Sequence, residues 1–262
     1  MNIGFIGAGN MGGALAASIS KVLDTKVYIY DISKEKAVDL ANKIGAHSVS
    51  FEDTVSRADI LFLGIKPNVL PSVAAEVGRI ADSGTLIVSM AAGVQISKIE
   101  ESLKKRLPII RIMPNTPVLV GEGFTAYAKN DLVTDKNNLD FLHIMQYTGT
   151  LEPLSEDTID SFCAIAGCGP AYAYMFIDAL AKGAEGCGIS RENAIRYASL
   201  TVRGATLMTL ESNTDPTTLC KNVCSPGGAT IEGVEVLRKN DFEATVSSAI
   251  EAAFKRTKEL GK

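Results

Sequence analysis

The sequence predicts an α/β fold: a parallel sheet over residues 1–153, followed by an all-helical domain over residues 154–262. Apolar runs of strand length alternate with helical stretches through the first part of the chain, the βαβα rhythm of a parallel sheet covered on both faces. The strand runs are almost continuously apolar, as strands buried on both sides must be. Beyond Pro153 no further strand is convincing, and each periodic segment is helical.

The first strand begins near Ile3 and stops at Gly7, and the spacing Gly7-x-Gly9-x-x-Gly12 follows at once. Met11, Leu15 and Ile19 then recur at helical spacing. In a strand-turn-helix of this kind the first glycine permits the turn, the second admits a pyrophosphate, and the third lets helix and strand touch. The helix N-terminus offers unpaired N–H groups to the phosphates. A second strand, Lys26–Tyr30, ends in Asp31, placed after Gly12 where an acid accepts hydrogen bonds from an adenosine ribose. The sheet is therefore expected to be of Rossmann type.

Ser33 to Lys43 reads as a helix capped by Ser33, and a short strand at His47–Val49 leads to a small helix at Glu52–Arg57. Strand 60–65, a helix from Asn68 to Ile80 and strand Thr85–Ser89 follow. Ser97 and Glu100 are spaced as a capping box for a helix to Lys105. Strand Ile109–Met113, an extended Gly123–Lys129, a helix over Asp135–Tyr147 and a short strand at Thr150–Glu152 complete the sheet. In the second domain Gly169-Pro170 is read as opening a long helix to Cys187, with Asp178, Lys182 and Glu185 as its charged stripe. Ser190, Asp215 and Asp241 each cap a later helix, and Pro226-Gly-Gly interrupts before a helix at Ala229–Leu237. A helical unit apolar on most sides would bury more when paired with a second copy.

A net charge of −4 and the lack of any basic run give no reason to expect nucleic acid. Apolar stretches such as Ile60–Ile65 are too short to cross a membrane, and a strand at the very start leaves no room for a signal peptide. Five cysteines, at 163, 168, 187, 220 and 224, read as free thiols of a reducing, cytoplasmic location. Cys220 and Cys224 share a helix face, but with two distant histidines, His47 and His143, they read as small buried residues and no metal site is expected.

Four breaker-bearing segments sit where strands end: the loop 7–12, Lys66-Pro67, Ala91-Ala-Gly93 and Met113-Pro-Asn-Thr-Pro117. The carboxyl edge of an open α/β sheet is where ligands bind, so together they read as a cofactor track, although each alone is an ordinary turn. In the helical part, Ser225, the N–H groups after Pro226 and the Thr230 hydroxyl form a glycine-rich elbow before a helix. Such an elbow is an anion-binding nest suited to a small carboxylate, or an elaborate helix cap.

Gly7-Ala-Gly-Asn-Met-Gly12, Ile65-Lys-Pro67, Ala91-Ala-Gly-Val94, Arg111-Ile-Met-Pro-Asn-Thr-Pro117, Gly167-Cys-Gly-Pro-Ala-Tyr172 and Ser225-Pro-Gly-Gly-Ala-Thr230 together resemble pyrroline-5-carboxylate reductase, over the full length and in the family's order. The resemblance implies a Rossmann domain, a helical dimerisation domain, and an active site between them that includes helices of the partner subunit. Dimers of the family can assemble further into pentamers of dimers. By position it places Ile6, Gly7, Ala8, Gly9, Asn10 and Met11 on the cofactor pyrophosphate, with Gly12 closing the same cofactor-binding loop, and Gly64, Ile65, Lys66, Pro67, Ala91, Ala92 and Gly93 along the ribose and nicotinamide. Asn222 would touch the cofactor from the helical domain, and Glu156, Ala229 and Thr230 the substrate, with Ser225, Gly227 and Gly228 in the turn that holds its carboxylate. Cys168 stands where many relatives have Ser, and Phe51 where they often have Asn near the adenosine.

The implied function is reduction of (S)-1-pyrroline-5-carboxylate to L-proline by NAD(P)H, the last step of proline biosynthesis, with Thr230 as the catalytic hydroxyl. Asp31 would bind the 2′-hydroxyl of NADH and repel the 2′-phosphate of NADPH, while Ser33 and Lys34 can hold a phosphate, so the sequence leans to NADH. Two other readings stand beside this one. A β-hydroxyacid dehydrogenase would need a lysine base on its long central helix, where only Lys182 is available. A dinucleotide sensor without a substrate site is the non-enzymatic alternative.

Overall fold

The computed structural model describes residues 1–260. Among them, eight strands form one sheet in the order β3-β2-β1-β4-β5-β6-β7-β8. They are β1 (Asn2–Ile6), β2 (Lys26–Tyr30), β3 (His47–Ser48), β4 (Ile60–Leu63), β5 (Leu86–Ser89), β6 (Ile109–Met113), β7 (Gly123–Lys129) and β8 (Gly149–Pro153). The helices between them are α1 (Asn10–Ile19), α2 (Lys34–Ile44), α3 (Phe51–Ser56), α4 (Leu70–Ile80), α5 (Ile96–Leu103) and α6 (Asp135–Ile144). Strand order reverses at β1, whose neighbours are β2 and β4, so a crevice opens at its carboxyl end.

Side chains alternate across each strand. On β4, Ile60 and Phe62 face the core under α1, α2 and α6, while Leu61 and Leu63 face the core under α4 and α5. The parallel expectation holds through β6. β7 then pairs antiparallel with β6, register Met113↔Ala126, and β8 runs parallel to β7. The short connection through a single 3-10 turn, Thr116–Val120, leaves no length for a crossover helix, so the strand must return antiparallel.

Two boundaries differ from expectation. The capping box at Ser97 and Glu100 does not form, because Gln95 is the N-cap of α5 and Ser97 lies inside the helix. The orphan N–H of Ile96 instead donates to Glu156 Oε1 at 2.7 Å. Gly169-Pro170 does not open a helix either. The chain is already helical from α7 (Glu156–Phe162) through a π-helical turn (Cys163–Gly167) into α8 (Gly169–Gly186). Pro170 has no N–H to return to the carbonyl of Ala166, four residues back, and the wider turn makes room for its ring. Asn115 Nδ2 donates to the Ala166 carbonyl at 3.0 Å, and its Oδ1 accepts from Phe124 N at 2.8 Å. The fused helix spans 31 residues and, by length and composition only, is apolar enough to cross a membrane, which the short apolar runs did not suggest.

The chain divides into two compact units, Met1–Pro170 with the stretch from Ala253 onward, and Ala171–Ala252. The first therefore reaches past residue 153. The second holds the rest of α8, then α9 (Arg191–Glu211), α10 (Pro216–Val223), α11 (Ala229–Lys239) and the start of α12 (Phe242–Leu260). Asp215 caps α10 as expected, accepting from Thr217 N at 2.8 Å.

Candidate active site

Gly7 follows β1 with φ 104°, and its N–H donates to Tyr30 O at 2.8 Å. A Cβ on Gly7 would lie 2.3 Å from the Gly64 carbonyl oxygen, and one on Gly12 would lie 2.3 Å from that of Gly7. A Cβ on Gly9 would meet nothing within 4 Å, and Gly9 is the N-cap of α1 without a side-chain cap. The loop is thus crowded behind and open in front, with first-turn N–H groups offered outward. That is the shape a pyrophosphate needs. Asp31 braces it: Oδ2 accepts from Ala8 N at 2.7 Å and Oδ1 from Ser33 N at 2.9 Å. Ser33 is the N-cap of α2 and accepts weakly from Lys36 N at 3.5 Å.

Beside the loop lies a cleft of about 560 Å³ lined by Ile6, Gly7, Asp31, Phe51, Ile65 and Val69, among others. Phe51 stands edge-on to Tyr30 with ring centroids 5.4 Å apart, so it supplies an aromatic wall where a polar contact was in question. Three carboxylates, Asp31, Glu52 and Glu76, face this cleft, and none of its lining residues is lysine or arginine. Lys34 lines a neighbouring cleft that shares Asp31. Gly64 N donates to Ile6 O at 2.8 Å, which holds the start of the Gly64–Pro67 loop against β1. Ala91 and Gly93 are buried after β5, so only backbone and the half-buried Ala92 are available there.

The sequence reading missed what fixes Glu156. Arg111 on β6 is 1% exposed, and its guanidinium pairs with Glu156 Oε1 at 3.2 Å and Asp160 Oδ1 at 2.6 Å. Glu156 Oε1 is thus committed to both Arg111 and the N-terminus of α5. The signal was available: a lone arginine in an otherwise apolar strand, and two acids four residues apart on one helix face.

In the second unit the elbow is a turn in which Gly228 N donates to Ser225 O at 3.0 Å across Pro226 and Gly227. Gly227 has φ 68°, the left-handed position that follows Pro in a type II turn. A Cβ on Gly228 would fall 2.4 Å from Ser225 Oγ, so that hydroxyl sits directly over the start of α11. Gly228 is the N-cap and has no side-chain cap, which leaves the first-turn N–H groups of Ala229 and Thr230 for a ligand. Among the described residues, the exposed Thr230 hydroxyl has no hydrogen-bond partner. Asn222 is exposed in the last turn of α10.

Comparison with known proteins agrees with both halves. Residues 156–260 match the family described as pyrroline-5-carboxylate reductase dimerisation, and residues 2–93 match NADP oxidoreductase, coenzyme F420-dependent. The chain is 36% identical to pyrroline-5-carboxylate reductase of Escherichia coli over 99% of its own length and 98% of the relative's. A crystal structure of a Plasmodium falciparum pyrroline carboxylate reductase with NADP bound superposes with TM-score 0.92 at 34% identity, covering 100% of this chain and 98% of that one. The Streptococcus pyogenes 1-pyrroline-5-carboxylate reductase gives 0.90 at 32% identity, covering 99% and 98%. With a glycine loop open to a dinucleotide, an uncapped helix N-terminus after the Ser225–Gly228 turn and this similarity over its whole length, the chain belongs to the pyrroline-5-carboxylate reductase family.

Proposed function

We propose that this protein reduces (S)-1-pyrroline-5-carboxylate to L-proline with NAD(P)H, the closing step of proline biosynthesis, in the cytosol. The observation that carries the reading is the elbow, a helix N-terminus left uncapped beside the Ser225 and Thr230 hydroxyls, which have no hydrogen-bond partner among the described residues. A bound reduced nicotinamide supplies the hydride for the imine carbon. The chain's own groups position the substrate. The Ser225–Gly228 turn and the Ala229 and Thr230 N–H groups hold the carboxylate, and the Thr230 hydroxyl hydrogen-bonds the ring nitrogen as its lone pair develops. A threonine hydroxyl is a weak acid, so it orients and stabilises while the proton comes from solvent. Glu156 Oε2, which is not engaged by Arg111 or Ile96, is the oxygen free to meet the substrate. Thr230→Ala is expected to lower kcat by about 10²-fold, the usual loss for one transition-state hydrogen bond, with cofactor affinity unchanged. Full turnover in that variant would remove Thr230 from the mechanism.

NADH is the preferred cofactor in this reading. A 2′-phosphate at the end of β2 would meet Asp31, with Glu52 and Glu76 facing the same cleft and the exposed Lys34 of the neighbouring cleft to offset them. Dissociation constants read from nicotinamide fluorescence, together with kcat/KM, are expected to favour NADH. Glu52→Gln and Asp31→Ser should each narrow the gap. A preference for NADPH that Asp31→Ser leaves untouched would show that Asp31 does not face the ribose.

The second unit supports assembly. α8 has one buried residue, Ala181, while Tyr174 and Met175 are 60% and 72% exposed and Leu200, Met208 and Val236 on the later helices are also bare. Apolar surface of this extent is covered by a second copy, and the long apolar helix is read as a dimer element on the same ground. Pentamers of dimers are the larger form we propose. The dehydrogenase alternative loses its base: Lys182 Nζ lies 2.7 Å from Asp178 Oδ2 in an exposed ion pair.

A further inference from the structure

The elbow is approached from α10, and that helix carries two thiols. Cys220 and Cys224 are one helical turn apart, both half-buried and both free. Burial and the neighbouring Cys220 thiol both push the Cys224 thiol up. Cys224 has already left the helix, with φ −97° and ψ 91°, and the next residue is Ser225, the start of the elbow. We propose that Cys220 and Cys224 are an oxidisable dithiol, and that a hydroperoxide converts them to a disulfide that disables the elbow for the substrate carboxylate.

Positions one turn apart on a helix have Cα atoms within the span a disulfide bridges. To bond, the two sulfurs must close to about 2.05 Å, and the movement falls on Cys224, which no longer has helical geometry to keep. Ser225 follows directly in the chain, and its Oγ fills the space a Cβ on Gly228 would take, so a displacement of Cys224 passes into the turn. The turn must therefore shift, and the hydroxyl and N–H groups it aims shift with it. The chemistry balances. The Cys220 thiolate takes the terminal oxygen of the peroxide, becoming a sulfenic acid and releasing an alcohol or water. The Cys224 sulfur then attacks the Cys220 sulfur and expels water. The order follows from the surroundings: burial pushes the Cys224 thiol up, reinforced by Cys220, with Arg238 opposing and Glu235 adding to the rise, so Cys224 is the resolving partner.

The other cysteines are differently placed. Cys163 touches Cys168 but is buried in the π-helical turn, where it receives the Thr257 hydroxyl at 3.7 Å. Cys187 is exposed without a second cysteine in contact.

This proposal rests on the elbow being the substrate-carboxylate site, and its test separates the two. Full-length protein is treated with hydrogen peroxide and digested with trypsin, which cuts after Lys221, between the two cysteines. The expected product is a cross-linked pair of peptides, one ending at Lys221 and one beginning at Asn222, that separates on reduction. Amide hydrogen exchange at residues 225–230 should change in the oxidised form. Turnover of pyrroline-5-carboxylate should fall by about 10²-fold, the scale of a misplaced binding group, and return with dithiothreitol. Cys220→Ser and Cys224→Ser should match the parent when reduced and ignore peroxide. No linked peptide, or a linked peptide with exchange and turnover unchanged, overturns the proposal. If the reduced parent does not turn over pyrroline-5-carboxylate, the functional reading falls, while linkage and exchange still decide the dithiol.

Discussion

Replacing Arg111 with methionine is expected to destabilise the first unit by about 3 kcal/mol, the loss typical when one member of a buried ion cluster is removed. The side chain is 1% exposed and bridges β6 to two carboxylates at the start of α7. Its removal leaves Glu156 and Asp160, only 26% and 18% exposed, facing each other without a cation. Thermal unfolding should drop by roughly 6–12 °C for a unit of this size. Adding Glu156→Gln and Asp160→Asn to the variant should recover part of the loss, because the penalty lies in the unpaired charges and not in the missing arginine. A midpoint within a degree of the parent would mean the carboxylates find water without cost.

Gly9→Ala should do the reverse, sparing the fold and removing the cofactor. The new Cβ meets nothing within 4 Å, and φ −71° with ψ −176° suits any residue, so the melting temperature should not move. The open space in front of Gly9 is where the pyrophosphate is expected, and a methyl there should weaken NADH binding by about 10²-fold, near 3 kcal/mol. Gly12→Ala is the contrast, because its Cβ would lie 2.3 Å from the Gly7 carbonyl and the fold itself must give. Fluorescence titration alongside thermal unfolding separates the two. Unchanged affinity in Gly9→Ala would place the pyrophosphate elsewhere.

The sheet was legible because its information is local. The central parallel strands are apolar runs, and Lys26–Tyr30, Ile109–Met113 and the antiparallel Gly123–Lys129 are located to the residue. The elbow was legible for the same reason, since Ser-Pro-Gly-Gly specifies its own turn. What escaped depends on groups far along the chain. Ser97 and Glu100 looked like a cap, but the N–H of Ile96 is satisfied by Glu156, sixty residues on. Gly169-Pro170 looked like a start, yet the helix passes through it because Asn115 supplies the missing donor fifty-one residues away. Arg111 was quoted within a motif and not recognised as a buried cation, because its partners belong to a helix whose beginning had been missed. Local periodicity registers neither kind of debt.

Asn115 and Pro170 also carry a message about substitution history. The asparagine uses one end of its amide to donate to Ala166 and the other to accept from Phe124, a task neither aspartate nor serine can reproduce with both polarities and the same reach. Half of that task exists only because position 170 has no N–H. Where a related chain carries an ordinary residue at 170, its amide can serve the Ala166 carbonyl and the donor at 115 becomes dispensable. The two positions should therefore covary across relatives, and an alteration tolerated at 115 in one lineage should cost about 1–3 kcal/mol in another that keeps the proline.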